Sequence, residues 1–237
     1  MDKNRSAVIK RSFKAAFPLT IPIMTGFLFL GMTYGIYMRV SGFGFIYPAV
    51  MSMVIFGGSL EFVAVQMLLS PFAPLQTLIM TLMIQARHIF YGLAMLDKFK
   101  DTGKFKPYLI YGMCDESFSV ICSAEIPKEA DRNWFMFFVT ALDQLYWFAG
   151  AAAGGLLGGL ISVDIKGLDF VMTAMFVVIF LEQLLKEKKH YTAVIGTAAS
   201  VICLIVFGSD TFMIPTMISI VLLLTVFRKK IEGQGQQ

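Results

Sequence analysis

The sequence predicts an all-α integral membrane protein, and three observations predict it. Hydrophobic residues make up 57% of the 237-residue chain and charged ones 15%, with a mean hydropathy of +0.72; soluble domains sit near ~45–50% and ~25%. The apolar residues fall into eight long runs, and about 20 such residues suffice to cross hydrocarbon as a helix. The basic residues flank these runs instead of forming a stripe, so the net charge of +4 reads as the charge bias of membrane topology, with no nucleic-acid footprint.

The first 14 residues carry five basic side chains and read as a cytoplasmic tail. The first run, 15–38, is free of charge and longer than a signal-peptide core, so it is expected to remain as a membrane helix. The second, 45–70, holds Glu61 as its one charge and is interrupted by Gly57-Gly58-Ser59. The third, 72–96, is apolar except where Gln85, Arg87 and His88 stand together. The fourth, 107–124, is short, with Asp115-Glu116 at its middle.

The fifth run, 134–163, holds Asp143 and a glycine-rich stretch in which Gly150, Gly154 and Gly158 recur every four positions. That spacing suits close helix packing. Runs 168–185, 191–208 and 211–227 complete the set before a polar tail, 228–237. Asp169 and Glu182 lie near the ends of the sixth run, where charge reaches water cheaply. No linker separates the runs, so 1–237 reads as one polytopic domain. Cys114, Cys122 and Cys203 lie inside apolar runs without the paired spacing of zinc or redox motifs.

Two topologies compete. If all eight runs cross, the connection 97–106 with its four lysines lies outside, against the positive-inside bias. If 45–70 and 107–124 each enter and leave on one side, that connection moves inside and only Arg39 and Lys166 remain outside. The charge bias favours the second scheme, with six full crossings and two re-entrant or broken segments; the length of 45–70, sufficient to cross, speaks for the first.

The buried charges point to function. An arginine at the bilayer centre costs at least ~2.5 kcal/mol, so it faces a partner or a watery cavity, and it marks a transport pathway by default. Glu61 suits a substrate ammonium or a proton; alternatively it pairs with Arg87 for structure. Helix spacing puts Arg87 and Tyr91 on one face and Gln85 and His88 on another. His88 suits a proton relay or a neutral ring bonded to backbone.

Asp115 and Glu116 point about 100° apart on a helix, so they do not face one ligand together; one of them is expected to cap a helix beginning at Ser117. Asp143 and Trp147 share a face of the fifth run, lining a polar cavity or bonding between helices. No nucleophile–base arrangement, phosphate loop or metal-ligand cluster is present, and the histidines are His88 and His190 alone; neither enzyme chemistry nor a cofactor is expected.

The segments FGGSLEFVAVQ, QARHIFYGLAML, DESFSV, LDQLYWFAGAAAGG and GLDFVMTAMFVVIFLEQL, in that order, resemble the AzlC family of branched-chain amino-acid transporters over nearly the whole chain. The resemblance implies export of leucine, isoleucine, valine and, in some members, methionine or analogues, from a multi-pass position in the cytoplasmic membrane, with a small AzlD-type membrane subunit.

An α-amino acid is a zwitterion, so its site needs a cationic partner, an anionic partner and a dry pocket. Gly57, Gly58, Ser59 and Arg87 are expected to take the carboxylate and Glu61 or Asp143 the ammonium, with Tyr91 beside Arg87 and Phe, Met and Leu side chains around the aliphatic tail. Glu61, His88, Asp115 and Glu116 are the candidates for a proton relay. Competing classes are a carrier or channel for another solute and a non-transporting scaffold subunit.

Overall fold

The computed structural model describes residues 2–160 and 191–208, with isolated residues between 177 and 185 and between 212 and 226. The chain divides into two compact units, Met1–Leu168 and Asp169–Gln237. Every regular element among the described residues is helical: α1 (Asp2–Val40), α2 (Ile46–Val54), α3 (Ser59–Leu69), α4 (Pro74–Ile84), α5 (Arg87–Met95), a 3₁₀ turn (Gly103–Phe105), α6 (Lys106–Tyr111), α7 (Asp115–Ser123), α8 (Arg132–Leu157) and α9 (Tyr191–Phe207). The expectations for Asp169, Glu182 and His190 lie outside the described residues.

Of the expected runs, the first and fifth form unbroken helices long and apolar enough to cross a membrane, Ser6–Val40 and Arg132–Leu157. The basic N-terminal segment is helical too, continuous with α1. The other three runs of the first unit are each broken near the middle. The interruption of 45–70 falls at 55–58, around the glycine pair, and that of 107–124 at 112–114.

The third run was expected as one continuous span, and here the structure differs: α4 and α5 meet at a 52° bend. At that bend the backbone bonds tighten to three-residue closures, His88 N–H to Gln85 O at 3.0 Å and Ile89 N–H to Ala86 O at 3.2 Å, a pattern common where helices break. Eight uninterrupted segments are therefore not what the chain forms.

The first unit is organised by α1 and α8, which run parallel. Ser12 Oγ accepts the Asp131 N–H at 2.9 Å at one end, and Gly158 abuts Arg39 at the other. Asp131 also caps α8, its Oδ1 accepting from Asn133 and Trp134 N–H at 2.9 Å each, as a helix N-terminus with free donors demands. Between the ends, glycine lets the backbones touch. A Cβ on Gly35 would lie 2.1 Å from the Ala151 carbonyl, and one on Gly154 2.1 Å from the Met32 carbonyl. The glycine face foreseen on α8 is thus met by Gly31 and Gly35 on α1, four residues apart, the small-residue geometry of close membrane helix pairs.

Two V-shaped hairpins approach this pair from opposite ends. In the first, α2 starts with Phe45 and Pro48 against Gly155, and its last turn reaches Gln144, whose Nε2 donates to Met53 O at 3.0 Å. Helix α3 then returns: Phe62 packs on Tyr34 and Tyr37, and Gln66 Nε2 donates to the Tyr37 hydroxyl. Both arms end beside the Val40 end of α1.

The second hairpin, α6 and α7, is anchored at the Asp131 end. Lys98 Nζ donates to Ile121 O at 3.1 Å and Cys122 O at 3.3 Å, joining the start of the hairpin to its finish. Arg132 donates to Lys98 O at 3.2 Å, and Phe105 packs on Trp134 with centroids 4.8 Å apart. Beneath them Phe99, Leu109, Ile121, Phe135 and Met136 form a buried core. In the second unit, α9 forms one side of an open apolar groove lined by Phe180, Leu184, Val194 and Val201.

Replacing Gly154 with leucine drives a side chain into the Met32 backbone; overpacking of this kind costs about 1–3 kcal/mol or more. The Gly154→Leu variant is expected to lose most of its monodisperse yield in detergent, whereas Gly26→Ala, at a position with nothing within 4 Å, keeps wild-type yield and Tm. Equal behaviour of the two variants contradicts the α1–α8 contact.

Candidate functional site

The three breaks put three helix N-termini in one place. Helix α3 begins at Ser59, α5 at Arg87 and α7 at Asp115, and Arg87 ties them together. Its Nη1 donates to Asp115 Oδ2 at 2.6 Å and its Nη2 to Ser59 Oγ at 3.3 Å. Gln85 adds a second tie, donating from Nε2 to Gly57 O at 3.3 Å. Each N-terminus presents the positive end of a helix dipole. With the guanidinium among them, the junction attracts anions. The Arg87 side chain is 39% exposed.

The backbone at the first break is shaped for this junction. Gly58 has φ +49°, left-handed, and Phe56 adopts φ +43°; for a bulky residue that is a strained conformation of the kind concentrated at functional sites. A Cβ on Gly57 would lie 2.7 Å from Gln85 Nε2, so glycine is what admits the Gln85 amide. Glu61, wholly buried on the first turn of α3, folds back on the break. Its Oε1 accepts the Gly57 N–H and the Trp147 Nε1–H, both at 3.0 Å.

The expected alternative of a Glu61–Arg87 pair is therefore not what forms: Arg87 is paired with Asp115, and Glu61 is held by an indole and a backbone amide. Gly57, whose N–H was expected to serve a ligand, already gives it to Glu61. Trp147 is fixed by Phe27 and Tyr34 rings at 5.6 and 6.2 Å. The second hairpin likewise departs from expectation. Its return helix begins at Asp115, and the cap is Cys114, in a reciprocal arrangement with Ser117, so neither acid caps a helix starting at Ser117. Asp115 faces Arg87, and Glu116 follows it in the first turn.

On α8, Asp143 is fully buried. The adjacent Gln144 bridges the two hairpins, donating to Met53 O at 3.0 Å and accepting from Tyr108 OH at 2.7 Å; Tyr111 OH also donates to Met53 O. Tyr91 stacks on Phe118 with centroids 4.6 Å apart and takes the His88 ring on its edge. The bridging roles of Tyr108, Tyr111 and the Met53 carbonyl were not foreseen. The signal available was the spacing of the two tyrosines, three apart ahead of the Gly112 break.

The site leaves polar atoms without hydrogen-bond partners among the described residues. They are Glu61 Oε2, Gln85 Oε1, Asp115 Oδ1, both Asp143 oxygens, Arg87 Nε and His88 Nδ1. Five of these are acceptor oxygens, one is a guanidinium donor and one is an imidazole nitrogen. Buried polar atoms are satisfied in all but a few cases, so these unpartnered atoms set the region apart.

Comparison with known proteins places the chain in a family. Residues 22–161 match the family described as AzlC protein. The "Branched-chain amino acid transport protein AzlC" of Bacillus subtilis (strain 168) is 56% identical over 229 residues, 97% of this chain and 90% of that protein. The chain belongs to the AzlC family. Other AzlC relatives carry the description "Uncharacterized membrane protein": one from Haemophilus influenzae, 46% identical over 94% of this chain and 92% of its own length, and one from Helicobacter pylori (strain J99), 37% identical over 94% and 97%. No solved structure matches the chain.

The Glu61–Trp147 contact is testable as a double-mutant cycle with Trp147→Phe and Glu61→Gln, read by thermal unfolding in detergent. Contacting residues couple by about 0.5–3 kcal/mol, and a coupling in that range is expected; additive single effects contradict the contact.

Proposed function

We propose that this AzlC-family chain is a secondary carrier in the cell membrane that exports branched-chain amino acids, leucine, isoleucine and valine, with a small AzlD-type membrane subunit. The name of the Bacillus subtilis relative supports the cargo. The observation that carries the reading is the set of unpartnered atoms around the three breaks: acceptor oxygens on Glu61, Gln85 and Asp115 and a donor on Arg87, the complement of an ammonium held near a carboxylate.

In this reading the substrate carboxylate meets Arg87, Ser59 and the N-termini of α3, α5 and α7. Broken helices near mid-membrane supply such donors to anionic groups in other carriers. The ammonium meets Glu61 Oε2. One oxygen of that carboxylate is held in place, and Glu61 stands on the same hairpin tip as the Ser59 that touches Arg87. Gly58 gives the tip its turn, and Tyr91 with neighbouring Phe, Met and Leu side chains encloses the aliphatic tail. His88, Asp115 and Glu116 line the second hairpin's side of the junction, where they serve proton movement.

We further propose six full crossings, with α2–α3 and α6–α7 as re-entrant hairpins from opposite faces. The ties between Lys98 and α7 and between Gln66 and Tyr37 support this, as does the charge bias that puts four lysines of 97–106 on the cytoplasmic side.

Two experiments test these statements. Cells preloaded with leucine and expressing the chain with its small subunit are expected to release it faster than controls, and Arg87→Gln is expected to reduce that efflux at least tenfold with unchanged protein level. Equal efflux in the variant removes Arg87 from the site, and no efflux from the wild type sinks the cargo. For topology, single cysteines are introduced after Cys114, Cys122 and Cys203 are replaced. A membrane-impermeant maleimide should label Lys100→Cys from the cytoplasmic face and Phe72→Cys from the outer face; eight full crossings demand the reverse for both.

A further inference from the structure

We infer that Asp143 is the group that carries the coupling proton, separately from the Arg87–Glu61 pair that holds the substrate; the inference rests on the carrier reading above. Asp143 lies on the inner face of α8 with 0% of its surface exposed, and neither carboxyl oxygen has a hydrogen-bond partner among the described residues. A buried carboxylate without a partner costs several kcal/mol, so this position calls for a cation or a proton.

The charged neighbours leave the proton. Among the described residues, the ionisable groups that face Asp143 are Glu116 of α7, the Tyr108 hydroxyl of α6 and the Cys114 thiol at the α7 cap, none of them a cation. The stretch of α1 alongside, from Ala15 to Thr33, has no ionisable residue, and α2 has Tyr47 alone, near the Gly155 end. The Arg87 guanidinium is engaged by Asp115 and Ser59. Glu61 differs from Asp143 in this respect, since its Oε1 accepts two N–H donors.

The position also explains how a proton would be felt by the hairpins. The next residue, Gln144, joins Met53 of the first hairpin to Tyr108 of the second, and Glu116 follows the Asp115 that holds Arg87. With the proton on one Asp143 oxygen the carboxyl is neutral and donates one O–H bond. When the proton leaves, a negative charge faces Glu116 and repels that carboxylate, which sits in the first turn of α7 beside the Asp115 that Arg87 ties down. One proton bound from one side and released to the other, against one amino acid carried the opposite way, makes the cycle an antiport.

The test uses the full chain with its small subunit in proteoliposomes, following labelled leucine and proton movement together. For Asp143→Asn we expect leucine counterflow, which needs no net proton movement, to stay within about threefold of wild type. Leucine accumulation driven by a pH gradient should fall at least tenfold, with leucine-evoked proton flux abolished. Retained gradient-driven accumulation overturns the inference, and so does loss of counterflow with folding intact, since that assigns Asp143 to the substrate.

Asp143→Glu, which keeps the acid, covers the case in which the asparagine variant fails to fold. It is expected to move the pH at which driven transport is half-maximal, and an unmoved profile overturns the assignment. Absence of counterflow in the wild type fails the carrier reading instead, and the inference with it.

Discussion

A guanidinium in the apolar layer of a membrane protein has to be answered from several directions, because each of its donors costs free energy if left bare. Arg87 is answered by Asp115 on one hairpin and Ser59 on the other. A straight helix places its neighbours along its own surface, so it cannot bring partners from two other segments to one point. The interruptions at 55–58, 85–86 and 112–114 do so, and each leaves a helix N-terminus facing the junction. The charge that makes the sequence unusual thus accounts for the arrangement of the three broken runs.

The broken segments need a rigid support, which α1 and α8 provide. Their glycine contacts bring backbone to backbone, and with that spacing fixed, Trp147 reaches Glu61 and Gln144 reaches Met53. Both hairpins are therefore registered against the same stretch of α8, between Thr140 and Ala151. Three sets of bonds join the hairpin tips, one through Arg87, one through Gln144 and one directly from Tyr111 to the Met53 carbonyl.

Much of this was legible in the residues. The glycine pair at 57–58 announced a break, Gly150 and Gly154 announced a packing face, and the isolated Arg87 and Asp115 marked where the broken helices meet. What was not legible follows from non-local geometry. The bend at Gln85 exists because its amide reaches Gly57 in another run, and no local breaker residue signals it. The choice of Asp115 over Glu61 as the partner of Arg87 depends on how the hairpins converge. Likewise Cys114 outcompetes its acidic neighbours as cap because Ser117 stands three residues on to reciprocate, a pairing that propensities for oxygen-bearing caps overlook.

The central claim is that one partly exposed arginine and one buried glutamate read the two charged ends of an amino acid. The most direct measurement is competition for leucine counterflow by leucinol, which lacks the carboxylate, and by 4-methylpentanoate, which lacks the ammonium. Charged hydrogen bonds contribute about 1.5–3 kcal/mol each, so each analogue should compete at least tenfold more weakly than leucine. Leucinol competing as well as leucine would contradict the role of Arg87, and 4-methylpentanoate doing so would contradict that of Glu61.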